Sequence, residues 1–481
     1  MIENITLTKK VQKRQEIVKP PDGRFEKYLE YLQRTDGFRD SEIDYVRSEI
    51  SSVLEKCSFD NEAGLVVGYI QSGKTTSFIG LMALAADNNV PLYIVIGGVG
   101  NMLVQQNFLE IQNKLESSGA WDIQLLSTTL NFQGVVNPRD PSNLRDQIRL
   151  HSKNFQAYPD DLRPMVLVVQ KEDDNIKNLI EVVKENPYLN KMQTLIIDDE
   201  VDQHGLNSKI RKDDVSKINQ LIKELRDCIP NHQYIGITAT PQALFLLQLD
   251  DLMSPTFCQL ITPGEDYIGG LELFGKDDEY MEEIQSLEFT ERFFAGEEYE
   301  GPPVDLKKAL LLFFIGAVHV KVKQLANNTT MLIHPSSQTI GHKEFKRWCE
   351  TFRDTWVGTL RAGHGPSYEA LIDDIREQYN DLSKTQEDLV DYETVINKIE
   401  ASMAMCKIVM LNRRDDGSSS QVSWRNAQNY IICAGVMAER GMVVRGLTVT
   451  YMPRSQDAYT GRMDTVQQRA RFYGYKRKIQ G

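Results

Sequence analysis

The residues Gly68-Tyr69-Ile70-Gln71-Ser72-Gly73-Lys74-Thr75 fit the pattern G-x-x-x-x-G-K-[ST] at every fixed position. The chemistry this spacing permits is phosphate binding. A glycine-rich turn that feeds a helix start presents backbone N–H groups and a positive dipole end to an anion. Lys74 is placed to reach terminal phosphates and the Thr75 hydroxyl to ligate magnesium, with Gly68, Gln71, Ser72, Gly73 and Thr76 completing the cradle. The flanking residues suit phosphate binding, since the apolar run Gly64-Leu65-Val66-Val67 precedes the turn and a helical pattern from Thr76 through Ala86 follows it. The alternative is a chance match in a surface turn. A strand before the turn and a helix after it weigh against that, so a nucleoside triphosphate, ATP with Mg2+, is the expected ligand.

A second constellation is Thr194-Leu195-Ile196-Ile197-Asp198-Asp199-Glu200-Val201-Asp202. A buried apolar strand that ends in consecutive carboxylates sets them at a sheet edge. There Asp199 would hold the metal and Glu200 would orient or deprotonate an attacking water. Asp202 completes a D-E-x-D pattern, while Asp198 is a further acid without an evident role. The alternative is a strand with a polar cap. Next comes Gly236-Ile237-Thr238-Ala239-Thr240-Pro241, weak by itself. In this order it matches the T-A-T-P element of helicase-like ATPases, whose hydroxyls (here Thr238 and Thr240) couple the catalytic carboxylates to a second domain. Near the end, Asp464-Thr465-Val466-Gln467-Gln468-Arg469-Ala470-Arg471 resembles the Q-x-x-R element of superfamily-two helicases. Its arginine, Arg471 first and Arg469 second, would stabilise charge on the γ-phosphate with Gln468 beside it. A basic surface helix is the alternative. Upstream, Arg440 and Gly441, and Arg445-Gly446-Leu447-Thr448, resemble the preceding R-G motif and are expected to couple the two domains.

These groups need a scaffold, and the apolar pattern supplies one. Leu92–Ile96, Ile123–Leu126, Met165–Val169, Thr194–Ile197 and Tyr234–Ile237 are short Val/Ile/Leu runs between helical stretches, the pattern of a parallel sheet covered on both faces. A second series follows a long apolar helix at Leu306–Lys323: Thr330–Ile333, Lys407–Leu411, Tyr430–Cys433 and Thr448–Tyr451. The expected fold is α/β, with two RecA-like parallel-sheet domains. Its parts are an N-terminal helical region over 1–60, with helices at Phe25–Leu32 and Ser41–Leu54, and a first ATP-binding domain over 61–250. An acidic insertion or linker over 251–304 leads to a second domain over 305–481, which carries a helical insertion at about 343–404.

With 481 residues, 41% hydrophobic and 26% charged, the chain has the composition of a globular protein with a substantial core. No apolar run reaches the roughly 18–20 residues of a membrane helix, and Met1-Ile2-Glu3-Asn4 opens no secretory signal. The six cysteines, Cys57, Cys228, Cys258, Cys349, Cys406 and Cys433, show no C-x-x-C pair and read as reduced core thiols of a cytoplasmic protein rather than a zinc site. A net charge of −13 argues against a generally basic nucleic-acid protein but not against a local groove. Backbone contacts to nucleic acid, DNA in preference, are expected after the second strand, at Gly98, Asn101 and Gln105, and at Lys171 after the strand Met165–Val169. An ordinary strand-to-helix turn explains the glycines equally well.

The spelling of these blocks is similar to that of the Z-one domain family, whose members are named as endonucleases. The matching blocks are Gly68 with Gln71-Ser72-Gly73-Lys74-Thr75, Ile197-Asp198-Asp199-Glu200-Val201-Asp202, Met331-Leu332-Ile333-His334, Arg445-Gly446-Leu447-Thr448, and Asp464-Thr465 with Gln468, Arg471, Phe472-Tyr473-Gly474-Tyr475. The resemblance implies two RecA-like domains, ATP hydrolysis and association with restriction-like or phage-defence operon proteins. It also implies a C-terminal continuation past Gly481. The residues do not spell a nuclease. Asp160 followed by Val169-Gln170-Lys171 lacks the second acid of the common restriction fold, Tyr267-Ile268-Gly269-Gly270 is half of another motif, and His204 reads as a solvated or capping residue. A GTPase-like switch is the alternative class. Its guanine motif N-K-x-D has only Asn397-Lys398-Ile399-Glu400 as a counterpart, with the final acid changed. An ATP-dependent protein-partner module without nucleic-acid binding is a further alternative, and a non-hydrolysing scaffold is disfavoured because every catalytic position is filled.

Overall fold

Alternating side chains along the buried strands decide the architecture. In the strand Leu92–Gly97, Tyr93 and Val95 enter one apolar core, while Leu92, Ile94 and Ile96 enter another. A strand that buries both of its faces must have helices above and below it. The computed structural model describes residues 16–98, 101–119, 124–127, 164–202, 217–241, 251–270, 301–335, 339–411, 426–434, 444–453, 471 and 473–475, with isolated positions within 146–157 and at 422 and 424. The chain divides into two compact units, Met1–Tyr69 with Gly73–Gly264, and Ile70–Ser72 with Glu265–Gly481.

The first unit begins with helices α1 (Arg24–Tyr31) and α2 (Asp40–Glu55). It continues through β1 (Glu62–Gly68), α3 (Lys74–Asp87), β2 (Leu92–Gly97), α4 (Asn101–Ser117), β3 (Gln124–Ser127), β4 (Met165–Gln170), α5 (Asp173–Lys184), β5 (Thr194–Asp199), α6 (Lys217–Asp227), β6 (His232–Thr238) and β7 (Phe257–Ile261). The seven strands form one parallel sheet in the order β3-β4-β2-β5-β6-β1-β7. Helices α1 to α4 cover one face, with Tyr28, Phe78, Met82 and Phe108 in the core. Helices α5 and α6 cover the other, with Leu179, Val183, Ile222 and Leu225.

One element departs from the sequence expectation. The stretch expected as linker from 251 supplies β7, which pairs with β1 from Gly64↔Phe257 to Gly68↔Ile261. It is an edge strand, so only its end residues Phe257 and Ile261 are buried while Leu260 is exposed, and five residues with two inward side chains carry little periodic signal.

The second unit holds the two-residue strand β8 (Tyr267–Ile268), helix α7 (Val304–Val322), β9 (Thr329–Ile333), helices α8 (Thr339–Ala362), α9 (Pro366–Leu382) and α10 (Tyr392–Ala404), then β10 (Lys407–Leu411), β11 (Asn429–Ala434), β12 (Leu447–Tyr451) and β13 (Gly474–Tyr475). Strands β10-β11-β9-β12 make a parallel sheet, and β8 pairs antiparallel with β13. Helix α7 is apolar around much of its circumference, and it packs with α8, α9 and α10 on Met331, Ile333, Ile431, Cys433 and Tyr451. Both units are thus parallel α/β layers of the RecA-like kind, with helices ahead of the first and three helices between β9 and β10 in the second. Among the described residues no helix is long and apolar enough to cross a membrane. Four cysteines are buried as expected of core thiols. Cys228 is half-buried and Cys258, which points away from the core on edge strand β7, is exposed.

Candidate nucleotide-binding site

Strand order brings the acidic, hydroxyl and glycine motifs of the first unit to one sheet edge. β6 lies between β5 and β1, and the register pairs Asp199 with Ile237 and Thr238 with Val67. The carboxyl ends of three adjacent strands therefore carry the acids, the hydroxyls and the glycine-rich turn side by side. That end of an open parallel sheet is where such folds bind ligands.

Strand β1 ends at Gly68 and α3 begins at Lys74. The N-cap between them, Gly73, has φ of 86°, a left-handed conformation that favours glycine. Lys74 Nζ donates to the Tyr69 carbonyl at 3.2 Å, across the mouth of the turn. Thr75 stands in the first turn of α3. Thr76, expected in the cradle, is tied elsewhere: its hydroxyl accepts from Lys114 Nζ at 2.8 Å and its carbonyl from the Tyr28 hydroxyl at 2.8 Å. Helices α1 and α4 thereby brace the start of α3.

At the end of β5, Asp199 is buried and accepts one bond from Asn107 Nδ2 of α4 at 3.1 Å. Burial, reinforced by the neighbouring Glu200 charge, pushes its carboxyl up to about 6 against the pull of Asn107, Lys74 and Lys171. A buried carboxylate with a neutral donor, two strands away from the strand that bears the phosphate-loop pattern, is a fitting oxygen ligand for a hard divalent cation. Glu200 follows with φ of 57°, so the chain leaves the strand by a left-handed step. Val201 then packs against Gly236, where an added Cβ would lie 3.0 Å from Val201 Cγ1 and would require Val201 to shift. This seats Asp202, whose two oxygens accept from Thr238 Oγ1 at 2.7 Å and Thr240 Oγ1 at 2.8 Å. Thr240 N donates to Thr238 Oγ1 at 2.9 Å, closing the network.

Lys171 is the clear correction. Expected as a nucleic-acid contact, it is wholly buried, with Nζ 2.5 Å from Asp198 Oδ1, 3.2 Å from the Asp199 carbonyl and 2.9 Å from the Glu200 carbonyl. A side chain with no exposed surface meets no backbone phosphate. Asp198, left without a role by its spelling, is its partner, and also accepts from the Tyr234 hydroxyl at 2.5 Å. Asn107 and Tyr234 are invisible as site residues in the sequence, and Lys171 stands out there only for a different role, because each acts through a tertiary contact. Of the other expected nucleic-acid positions, Gly98 is buried, its carbonyl accepting from Lys171 N at 3.4 Å. Asn101 starts α4, and Gln105 is half-buried on that helix. His204 lies outside the described residues.

In the second unit Arg471 is buried, with φ of 58°. Residues Ile70–Ser72 of the G-x-x-x-x-G-K-[ST] pattern group with this unit. With its amide oriented to satisfy both neighbours, Gln71 accepts from Arg471 Nη1 at 3.2 Å and donates to the Tyr473 carbonyl at 2.6 Å. The Tyr267 hydroxyl donates to the Ile70 carbonyl at 2.6 Å, and Ile70 packs on Tyr267, Ile268 and Tyr473. The Arg445-Gly446 turn enters β12, Thr330 Oγ1 donating to the Arg445 carbonyl at 2.7 Å. Arg440, Gly441, Gln468 and Arg469 lie outside the described residues.

Residues 305–480 match the Z1 domain, which bears out the resemblance carried by the motifs of that region. No curated protein matches the chain. Among solved structures it is similar to the DUF1998 helicase MrfA bound to DNA, at 12% identity and a TM-score of 0.48 over 96% of this chain and 51% of that one. It is also similar to the DEAD-box helicase Mss116 bound to ssRNA and UDP-BeF, at 11% identity and 0.42 over 93% and 70%. A third is S. cerevisiae Dbp5 bound to RNA and ADP BeF3, at 10% identity and 0.36 over 92% and 85%. The chain spans about half the length of the first of these.

Proposed function

We propose that the chain, whose residues 305–480 match the Z1 domain, is a helicase-type nucleoside triphosphatase that hydrolyses ATP and couples hydrolysis to movement along, or remodelling of, nucleic acid. One observation carries this reading. The carboxyl ends of three adjacent strands hold the Gly68–Thr75 turn, the Asp199–Glu200 pair and the Asp202–Thr238–Thr240 network together. In this reading the backbone of Gly68–Gly73 and the Lys74 ammonium hold the phosphates. Thr75 and Asp199 hold magnesium, which when bound neutralises developing charge on the phosphoryl oxygens. Glu200 orients the attacking water and accepts its proton. Arg471, which belongs to the second unit, stabilises charge in the transition state. Thr238 and Thr240 pass the state of the acids onward through Asp202.

A cytoplasmic setting, DNA as the nucleic acid and partner proteins of a restriction-like or phage-defence system belong to this proposal on the strength of the Z1 match. The domain limits at 61–250 and 305–481 are part of it too. A GTPase-like switch finds little support, since Asn397-Lys398-Ile399-Glu400 lies within helix α10 rather than in a loop that could face a base.

The deciding experiment measures ATP turnover alone and with single-stranded or duplex DNA or RNA, beside Lys74→Ala. Turnover stimulated by one of these nucleic acids and abolished in the variant is the expected result. Lys74→Ala at the wild-type rate would refute the phosphate-binding assignment. Turnover that no nucleic acid alters would refute the coupling and favour a protein-partner module.

A further inference from the structure

We infer that Lys171 is a positioning residue of the nucleotide site: its ammonium clamps the main chain at Asp199 and Glu200 and so fixes where the two acidic side chains point. The inference rests on the ATPase reading given above. Lys171 follows β4 directly, and β2 separates β4 from β5 in the sheet. Its side chain reaches past the end of β2, at Gly97 and Gly98, to the end of β5. There its ammonium forms an ion pair with Asp198 Oδ1 at 2.5 Å and donates to two carbonyls, that of Asp199 at 3.2 Å and that of Glu200 at 2.9 Å.

The two carbonyls distinguish a clamp from a simple charge pair. Neutralising the buried Asp198 would need only the first contact. In a continued strand, successive carbonyls point to opposite sides. The left-handed step at Glu200, φ 57°, breaks that alternation and lets both carbonyls converge on one ammonium. That backbone conformation is disfavoured for a residue with a Cβ and persists only where its surroundings hold it. Lys171 is what holds it on the strand side, while the Val201 N–H donating to the Ile237 carbonyl at 3.1 Å holds it on the far side. Glu200 is thereby presented at the sheet edge rather than folded back along β5. Asp198 aims the lysine through their ion pair, and is itself fixed by the Tyr234 hydroxyl.

The test uses the full chain with two variants, Lys171→Met and Lys171→Met/Asp198→Asn. Methionine fills the buried volume without a donor. Alone it leaves Asp198 buried and unpaired, so Lys171→Met should melt at a lower temperature. The double variant removes that lone charge, keeps an oxygen for Tyr234 and should recover most of the lost melting temperature. Binding of a fluorescent ATP analogue with magnesium should stay near wild type in the double variant, because Lys74 and the phosphate turn are untouched. Its turnover should still fall about 10–100-fold, the usual cost of losing an outer support of a metal or catalytic ligand. A stable double variant with wild-type turnover would mean that Lys171 only balances Asp198, and the clamp would be wrong. A double variant that loses nucleotide binding along with turnover would also overturn it, since the lysine would then support the whole site. If the wild-type chain neither binds nor hydrolyses any nucleoside triphosphate, the ATPase reading itself fails, a result distinct from both.

Discussion

Asn107 is the residue whose importance the sequence hides most completely. It is one of several amides in α4, yet it reaches 92 positions along the chain to donate to Asp199, the proposed metal ligand. Lys74, Thr75, Asp199 and Glu200 are legible because each belongs to a local spelling with a fixed chemical meaning. Asn107 and Lys171 are not, because their roles arise only when α4 and β4 are packed beside β2 and β5. Replacing Asn107 with Leu keeps the approximate volume and removes the donor. Turnover should then need more magnesium, its half-saturating concentration rising about 10–100-fold, with modest loss of stability. An unchanged magnesium titration would show that Asn107 does not orient Asp199. Glu200→Gln should retain ATP binding and lose turnover, since the amide keeps the shape without the base. If binding is lost too, Glu200 is structural, and a filter-binding measurement beside the turnover assay separates the cases.

At the scale of elements, the inner strands are legible because they are buried on both faces. The expected runs Leu92–Ile96, Met165–Val169, Thr194–Ile197 and Tyr234–Ile237 all lie in inner strands, while Ile123–Leu126 overlaps the edge strand β3. The edge strand β7 escapes the pattern because its middle side chains are not buried. The amino end of β6 carries a pH dependence of its own. His232 is buried there and its Nε2 accepts from Arg226 Nε at 3.0 Å, an arrangement open only to the neutral ring, whose Nδ1 then donates to the Ile229 carbonyl. Burial first, then the adjacent Arg226 charge, pulls its pKa from 6.5 down to about 4. A histidine whose folded value is depressed stabilises the fold fully above 6.5, and that contribution is lost as pH falls from 6.5 through about 4. The loss amounts to about 3 kcal/mol. Denaturant unfolding should therefore weaken across this window in the wild type, and less so in His232→Gln, whose amide oxygen can still accept from Arg226. Parallel curves for the two proteins would assign the acid sensitivity to other groups.

For the whole molecule, the legible part is the order of motifs: a phosphate turn, an acidic strand end, T-A-T-P, then an arginine-bearing element in a second parallel-sheet unit. What the order leaves open is coupling, and two measurements bear on it. Nucleic-acid stimulation of turnover should fall steeply as salt rises, because each phosphate contact releases counterions on binding. Stimulation that holds from low to high salt would identify a protein partner as the natural activator.

Arg471 is the sharper test, because it lies in a unit separate from Lys74. It is buried and bonded to Gln71 within its own unit, which holds and orients the guanidinium. Pre-set donors act mainly on charge that develops in the transition state and little on ground-state binding. Arg471→Ala should thus bind ATP with near wild-type affinity, while turnover falls on the order of 10³-fold or more. Arg471→Lys should recover little, because a point charge on a flexible stem does not reproduce the planar fork. Single-turnover hydrolysis beside equilibrium binding separates the two quantities. An alanine variant that turns over at the wild-type rate would make Arg471 a structural tie for the Ile70–Ser72 segment. An equal loss of affinity and rate would place its contribution in ground-state binding, and either result would remove it from the catalytic set.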